Sequence, residues 1–245
     1  MEDLQEIIAS FGEKEITITV GDIVKTGKEA IVYKAYLNNE LTALKVYKDY
    51  NTRAFTDNKG YIAGKYIKKP SLRKATMKKT KVGKDFIHEG WVKREYVMLN
   101  RLFSKGCSIP KPIASVKTAI LMEFIGNEAK TAPKLKDAIL NASQAQTTFE
   151  LIVENMKKFL DVGVVHADLS EFNILWWKEK PYIIDFPQSI DVKENTNAES
   201  LLLRDVNNVC KYFSKYIEIN ETEVYESLKH ILDDFVIYGR NPNFN

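Results

Sequence analysis

Residues 166–173 read His-Ala-Asp-Leu-Ser-Glu-Phe-Asn, and Asp185 follows twelve positions after Asn173, behind the apolar pair Ile183-Ile184. Transfer of a phosphoryl group from a nucleotide needs a carboxylate that orients the acceptor hydroxyl. It also needs oxygen ligands that hold a divalent cation on the phosphates. Asp168 supplies the first. Asn173 and Asp185 supply the second, because a hard cation such as Mg²⁺ prefers side-chain oxygens. A loop aspartate or a strand-terminal aspartate alone is a weak signal, whereas the two in this order and spacing are specific. His166 is expected to pack and hydrogen-bond within the loop, not to catalyse.

Groups that could hold the phosphates lie upstream. Thr26-Gly27-Lys28-Glu29-Ala30 sits between two strand-like runs, where backbone N–H groups of a turn can attract anions. With one glycine, an ordinary hairpin is an equally good reading of this turn. Lys45, in Ala43-Leu44-Lys45, is placed to pair with α- and β-phosphates, and Glu95 is the expected ion-pair partner that keeps it charged at a partly buried position. Met122-Glu123-Phe124-Ile125 would meet adenine through main-chain groups.

The elements that must position these residues change character along the chain. Leu4, Ile7, Ile8 and Phe11 follow helical spacing. Residues 16–20, 30–36 and 41–47 are β-branched and aromatic runs separated by Gly21-Asp22, Thr26-Gly27-Lys28 and Asn38-Asn39, which predicts an antiparallel meander. Residues 49–88 are polar and aperiodic, so a mobile insertion with at most transient helix is expected. Val92, Tyr96, Leu99 and Phe103 predict a helix over 91–104, and residues 113–116 and 119–124 two more strands. Beyond Ile125-Gly126 helices dominate. Ile152, Met156, Phe159 and Leu160 mark one that runs into Gly163. Leu202, Val206, Val209, Phe213 and Tyr216 mark another. Val224, Leu228, Ile231 and Phe235 mark the last, with Asn220 and Glu223 as a capping pair. The expectation is an α+β, bilobal, protein-kinase-like fold. Its N-lobe (1–125) holds an antiparallel five-stranded sheet, one main helix, the N-terminal helix and the insertion. Its C-lobe (126–245) is mainly helical and carries the catalytic loop and metal site, with the active site in the cleft.

At 245 residues and 44% hydrophobic content the chain can bury a proper core. No apolar run approaches the ~20 residues of a membrane span. Two cysteines without metal-ligand spacing exclude a disulfide framework, so a reducing, cytoplasmic setting is the expectation. The formal charge of +3 hides a strong asymmetry. Nine basic residues and no acidic one fall between Lys65 and Lys84, against 27 basic and 33 acidic elsewhere. Such a stretch suits a polyanion, although a solvated loop explains it equally well.

Taken in order, Lys25–Tyr33, Leu44–Tyr47, Trp91–Glu95, Leu121–Gly126, His166–Asn173, Ile183–Ser189 and Leu203-Arg-Asp-Val206 resemble the RIO-type atypical serine/threonine kinases over nearly the whole chain. Thr-Gly-Lys-Glu-Ala and Asp-Phe-Pro-Gln-Ser resemble the type one branch. The short stretch before Ile16 leaves no room for the winged-helix domain of the type two branch. The resemblance implies a trimmed kinase fold that binds ATP with Mg²⁺ or Mn²⁺. By position it makes Asp168 the catalytic aspartate and Asn173 and Asp185 the metal ligands. Lys45 becomes the phosphate lysine paired with Glu95, and Lys28, Val32, Met122, Glu123 and Ile125 become nucleotide contacts. It also implies a role in maturation of the small ribosomal subunit, with the precursor's RNA met by residues 65–84. Asp185 could become an acyl phosphate, which would make ATP hydrolysis an activity. A monomer away from membranes is expected.

Departures from ordinary protein kinases matter. Ser170 stands where a lysine is usual, Pro187 follows Asp185-Phe186 where glycine is usual, and no Ala-Pro-Glu segment closes an activation loop. Broad phosphorylation of protein substrates is therefore in doubt, while ATP chemistry is not. Two other readings stay open. One is a small-molecule phosphotransferase, disfavoured because only 60 residues follow Asp185. The other is a ribosome-assembly factor that uses its nucleotide site as a switch.

Overall fold

The computed structural model describes residues 4–48, 76, 78 and 80–239. Six members of the basic stretch (Lys65, Lys68, Lys69, Arg73, Lys74 and Lys79) lie outside them, as does most of the expected insertion. The chain divides into two compact units, Met1–Met98 with Pro112–Phe124 and Leu99–Lys111 with Ile125–Asn245.

The first unit is built on an antiparallel sheet of five strands: β1 (Ile18–Thr26), β2 (Ala30–Leu37), β3 (Glu40–Tyr47), β4 (Pro112–Val116) and β5 (Ala119–Glu123), in the order β1-β2-β3-β5-β4. Asn38 and Asn39 turn β2 into β3 with φ of 51° and 66°. Two left-handed residues are what a tight two-residue hairpin demands, and asparagine tolerates them. Gly21-Asp22 is not the turn expected from its composition. β1 runs straight through it, and the register with β2 slips between Val20 and Ile23, so a bulge absorbs the pair. Side chains alternate across β3. Leu44 and Val46 face a core shared with Ile18, Ala35 and Leu121, which Ile7 and Phe11 of the N-terminal helix α1 (Leu4–Gly12) complete. Lys45 and Tyr47 project from the other face.

The long helix α2 spans Lys81–Ser104, so it begins ten residues before the predicted start. Residues 81–88, expected as part of a mobile insertion, are helical. The predicted face is also rotated. His88, Val92, Glu95, Leu99 and Leu102, spaced by four and three, form the buried stripe, with Met98 beside it also buried, whereas Phe103 is exposed. Tyr96 is half-buried and donates its hydroxyl to the Ile113 carbonyl at 3.0 Å. Two polar side chains lie in the buried stripe, and Lys81, Gly83, Lys84 and Gly90 dilute the apolar pattern of its N-terminal half. An apolar-periodicity reading misses such a helix.

In the second unit, α3 (Ala142–Asp161) starts at a capping box in which Asn141 and Gln144 each accept the other's backbone N–H. It is capped at Val162 and followed by Gly163, whose φ is 66°. A Cβ there would lie 2.2 Å from the Phe235 ring, so the last helix can pack against this turn only because position 163 has no side chain. The short pairs β6 (Val164–Val165) with β9 (Ile190–Asp191) and β7 (Ile174–Trp177) with β8 (Lys180–Ile183) frame the loop that carries Asp168. α4 (Ala198–Phe213) buries Leu202, Val206, Val209 and Phe213 but stops before Tyr216, the last position of the predicted apolar face. In α5 (Glu221–Tyr238) the Asn220 side chain accepts from the Glu223 N–H, and Leu228 and Phe235 are buried. Cys107 and Cys210 are free thiols, raised by burial to about 12 and about 11. Both are therefore poor nucleophiles. Among the described residues no helix is long and apolar enough to cross a membrane.

Candidate active site

In the first unit, Lys45 Nζ donates to Glu95 Oε1 at 2.9 Å, and the glutamate is 5% exposed. β3 fixes the lysine by pairing Lys45 with Val32 on β2 and with Ile120 on β5. The second carboxylate oxygen is also taken. The Tyr47 hydroxyl donates to Glu95 Oε2 at 2.5 Å, and Lys45 Nζ stands 5.0 Å from the centre of the Tyr47 ring. Tyr47 is completely inside, and burial, followed by the neighbouring Glu95 charge, holds its phenol well above the ordinary tyrosine range. It therefore keeps its proton, as a donor to Glu95, at neutral pH.

The turn before β2 is tied down by its own backbone. Gly27 N–H donates to the Ala30 carbonyl at 2.8 Å, and Lys48 Nζ donates to the Gly27 carbonyl at 2.7 Å. The Gly27 amide is thus committed to the turn and is not among the N–H groups that could meet an anion. Lys28 is exposed and Val32 is half-buried. Met122 and Glu123 end β5 opposite Ala43 and Thr42, Met122 half-buried and Glu123 exposed. Ile125 begins the following segment, buried, with its carbonyl accepting the Ala132 N–H at 3.0 Å.

In the second unit, the loop after β6 gathers its functional side chains within eight residues. Asp168 is exposed. Asn173 folds back on it, with Nδ2 donating to the Asp168 carbonyl at 2.8 Å and to Asp168 Oδ2 at 2.9 Å. With the amide nitrogen so committed, Asn173 Oδ1 is the atom left to ligate a cation. The Asn173 carbonyl accepts the Ile184 N–H at 2.9 Å, which ties the loop to the residue before Asp185. Asp185 itself is exposed and left-handed, with φ of 72°. Such a backbone is costly for a residue with a Cβ and persists where surrounding contacts impose it. Phe186 is buried against His166, with ring centroids 4.7 Å apart, and His166 Nε2 lies 3.1 Å from the Ile184 carbonyl. Beyond Asp185 the chain closes a tight turn, Ser189 N–H donating to the Phe186 carbonyl at 3.0 Å across Pro187 and Gln188.

Asp205 of α4 holds the loop from beneath. The residue is 1% exposed, and its carboxylate accepts the N–H groups of Ala167 at 2.7 Å and Leu169 at 2.9 Å, on either side of Asp168. Arg204 donates to the Ala167 carbonyl, and Asn208 Nδ2 to the Leu169 carbonyl at 3.1 Å. Ala167, at φ of 63°, is thereby clamped on both sides in a conformation that disfavours side chains. Burial raises the Asp205 carboxyl to about 7, against the pull of its two amide donors and of Arg204. Leu203-Arg-Asp-Val206 enters the family resemblance without a role of its own. A carboxylate set into the apolar stripe of Leu202, Val206 and Val209 is the signal that could have found Asp205. Tyr47 gives none, because an aromatic ending a strand reads as core.

Known proteins resemble this chain over most of its length. Residues 31–226 match the RIO domain. The chain is 34% identical over 228 residues to the RIO-type serine/threonine-protein kinase Rio1 of Methanocaldococcus jannaschii, covering 91% of this chain and 72% of that one. It is 32% identical to the human serine/threonine-protein kinase RIO1, covering 82% of this chain and only 34% of the much longer human one. A crystal structure of the Rio2 kinase-ADP/Mg²⁺-phosphoaspartate complex from Chaetomium thermophilum superposes with a TM-score of 0.66 at 19% identity, covering 94% of this chain and 68% of that one. That likeness is one of fold, the protein-kinase-like fold. The family match spans most of the chain, from β2 into α5, so the chain belongs to the RIO family of serine/threonine-protein kinases.

Proposed function

We propose that this protein transfers the γ-phosphoryl group of ATP with Lys45, Glu95, Asp168, Asn173 and Asp185 as its working groups, and that it acts in small ribosomal subunit maturation with ATP hydrolysis as one of its activities. The carrying observation is the Asp168–Asn173 pair. The asparagine amide locks the carboxylate and keeps its own oxygen for a cation. Asp168 then orients the acceptor hydroxyl. A loose phosphoryl-transfer transition state asks for positioning and charge stabilisation more than for a strong base. Lys45, held by Glu95, balances phosphate charge, while Glu123 and Ile125 contact adenine through the main chain, with Val32, Met122 and Lys28 around the nucleotide.

Asn173 and Asp185 fit Mg²⁺, which is commonly bound by one or two protein oxygens plus substrate phosphates and several waters. The described residues contain no group of three or more His, Cys, Asp or Glu side chains that could form an all-protein cage. When bound, the ion would neutralise charge on the phosphates. Asp185 is exposed and fixed in an unusual backbone conformation, which suits a second role as nucleophile toward the γ-phosphorus. The phosphoaspartate named for the Rio2 complex supports that role.

Incubation with γ-labelled ATP, with and without small-subunit precursors, tests this reading. Label on protein favours kinase activity, and released phosphate favours ATPase activity. Label on the protein itself that is lost in hydroxylamine and absent from Asp185→Ala identifies an acyl phosphate. Absence of both label and phosphate release refutes the proposal.

A further inference from the structure

We propose that Tyr47 is a positioning residue for the nucleotide phosphates, acting through Glu95 on Lys45; this rests on Lys45 being the phosphate lysine. A carboxylate as buried as that of Glu95 must have its oxygens satisfied, because an unpaired buried charge is strongly destabilising. If Lys45 were its sole donor, drawing Nζ toward a phosphate would strand the carboxylate. Tyr47 removes that conflict. Its hydroxyl reaches Oε2 at 2.5 Å while Lys45 occupies Oε1 at 2.9 Å. Glu95 is therefore anchored by a neutral donor that no phosphate competes for. Lys45 has three N–H groups, so meeting a phosphate does not require it to withdraw from Glu95 Oε1.

The geometry follows from the strand. Positions 45 and 47 lie two apart on β3, so their side chains leave the same face and converge on one residue of α2. The tyrosine ring also bounds the lysine, whose Nζ sits 5.0 Å from the ring centroid, a distance at which a cation is attracted to the aromatic face. Phenylalanine in this place would preserve the ring, the packing and that attraction. It would delete only the hydroxyl, with its bond to Glu95 and its contact with Lys45.

Tyr47→Phe is therefore the decisive variant, with MgADP and adenosine as probes in equilibrium binding. Removal of one hydrogen bond to a charged group should weaken MgADP by about tenfold, while adenosine, which has no phosphate for Lys45 to meet, binds as to wild type. A parallel rise in KM for ATP with the smaller change in kcat is expected. In a Glu95→Gln background the Tyr47→Phe effect should shrink, because both residues act on the same lysine. If Lys45→Ala weakens MgADP but Tyr47→Phe does not, the tyrosine proposal is overturned and the assignment of Lys45 survives. If Lys45→Ala also leaves MgADP unchanged, the underlying assignment is wrong. Equal losses for adenosine and MgADP in Tyr47→Phe would mean that the hydroxyl serves only general stability, which also overturns the proposal.

Discussion

Replacing Asp205 by asparagine should flatten the dependence of stability on pH. The Asp205 carboxyl is raised by burial to about 7 in the folded protein, from the ordinary value of 3.8. Between these values the folded state binds a proton that the unfolded state has released. The contribution to stability is therefore complete below about pH 4 and is lost as pH rises through 7. Three pH units at about 1.4 kcal/mol each give an upper limit of about 4 kcal/mol. That is a large share of the ~5–15 kcal/mol by which a domain is stable. An asparagine side chain cannot titrate. It keeps one acceptor oxygen for an amide but turns an NH₂ toward the other, so the variant should be about 1–3 kcal/mol less stable near pH 5. By pH 8 the gap should narrow, since wild type has lost the proton-linked part. Urea unfolding of both proteins at pH 5, 6.5 and 8 measures this, and the wild-type minus variant difference cancels every other titrating group. Parallel curves across the range would refute the assignment of this pH dependence to Asp205.

Gly163→Ala should cost about 2–4 kcal/mol, from a left-handed backbone with a Cβ and a clash with the Phe235 ring; an unchanged melting temperature would count against it. Asp168→Ala should reduce phosphate transfer at least a hundredfold while leaving MgADP affinity within about threefold, as expected of a group that orients the acceptor; equal losses of both would argue against that role. Neutralising Lys68, Lys69, Lys78 and Lys79 together should weaken binding to small-subunit precursors and flatten its salt dependence. ATP turnover of the free protein should stay at the wild-type rate, and unchanged subunit affinity would return the stretch to a solvated loop.

What the chain's residue pattern reveals and what it hides divide along a physical line. Elements whose burial is apolar on one face are legible. α1 follows from Leu4, Ile7, Ile8 and Phe11, and the β2–β3 hairpin from alternating β-branched residues around Asn38-Asn39. Legibility ends where polar residues occupy the buried face. Apolar periodicity places the start of α2 ten residues late because Gly83 and His88 stand where apolar residues would have revealed the stripe, and it rotates the face because Glu95 occupies a buried position within it. Gly21-Asp22 has turn composition, yet cross-strand pairing on both sides of it overrides local preference and turns it into a bulge.

The same rule explains the candidate site. Asp168, Asn173 and Asp185 sit on a loop and just beyond a strand end, where apolar periodicity does not set residue type, so their spacing stands out in the chain without coordinates. Tyr47 and Asp205 act from inside the two units, through Glu95 in one and through the amides of Ala167 and Leu169 in the other. Each is disguised by its surroundings, an aromatic at a strand end and an acid within an amphipathic helix. What betrays them is burial combined with satisfied hydrogen bonds, a property of three-dimensional placement alone. Residues that touch a reacting group are constrained by chemistry and leave a pattern in the chain. Residues that hold them are constrained by packing and geometry, which the order of amino acids records only weakly. Ala167 belongs to this second class: its side chain suggests nothing, yet its left-handed backbone is clamped by Asp205 and Arg204 one residue before the aspartate that must be aimed.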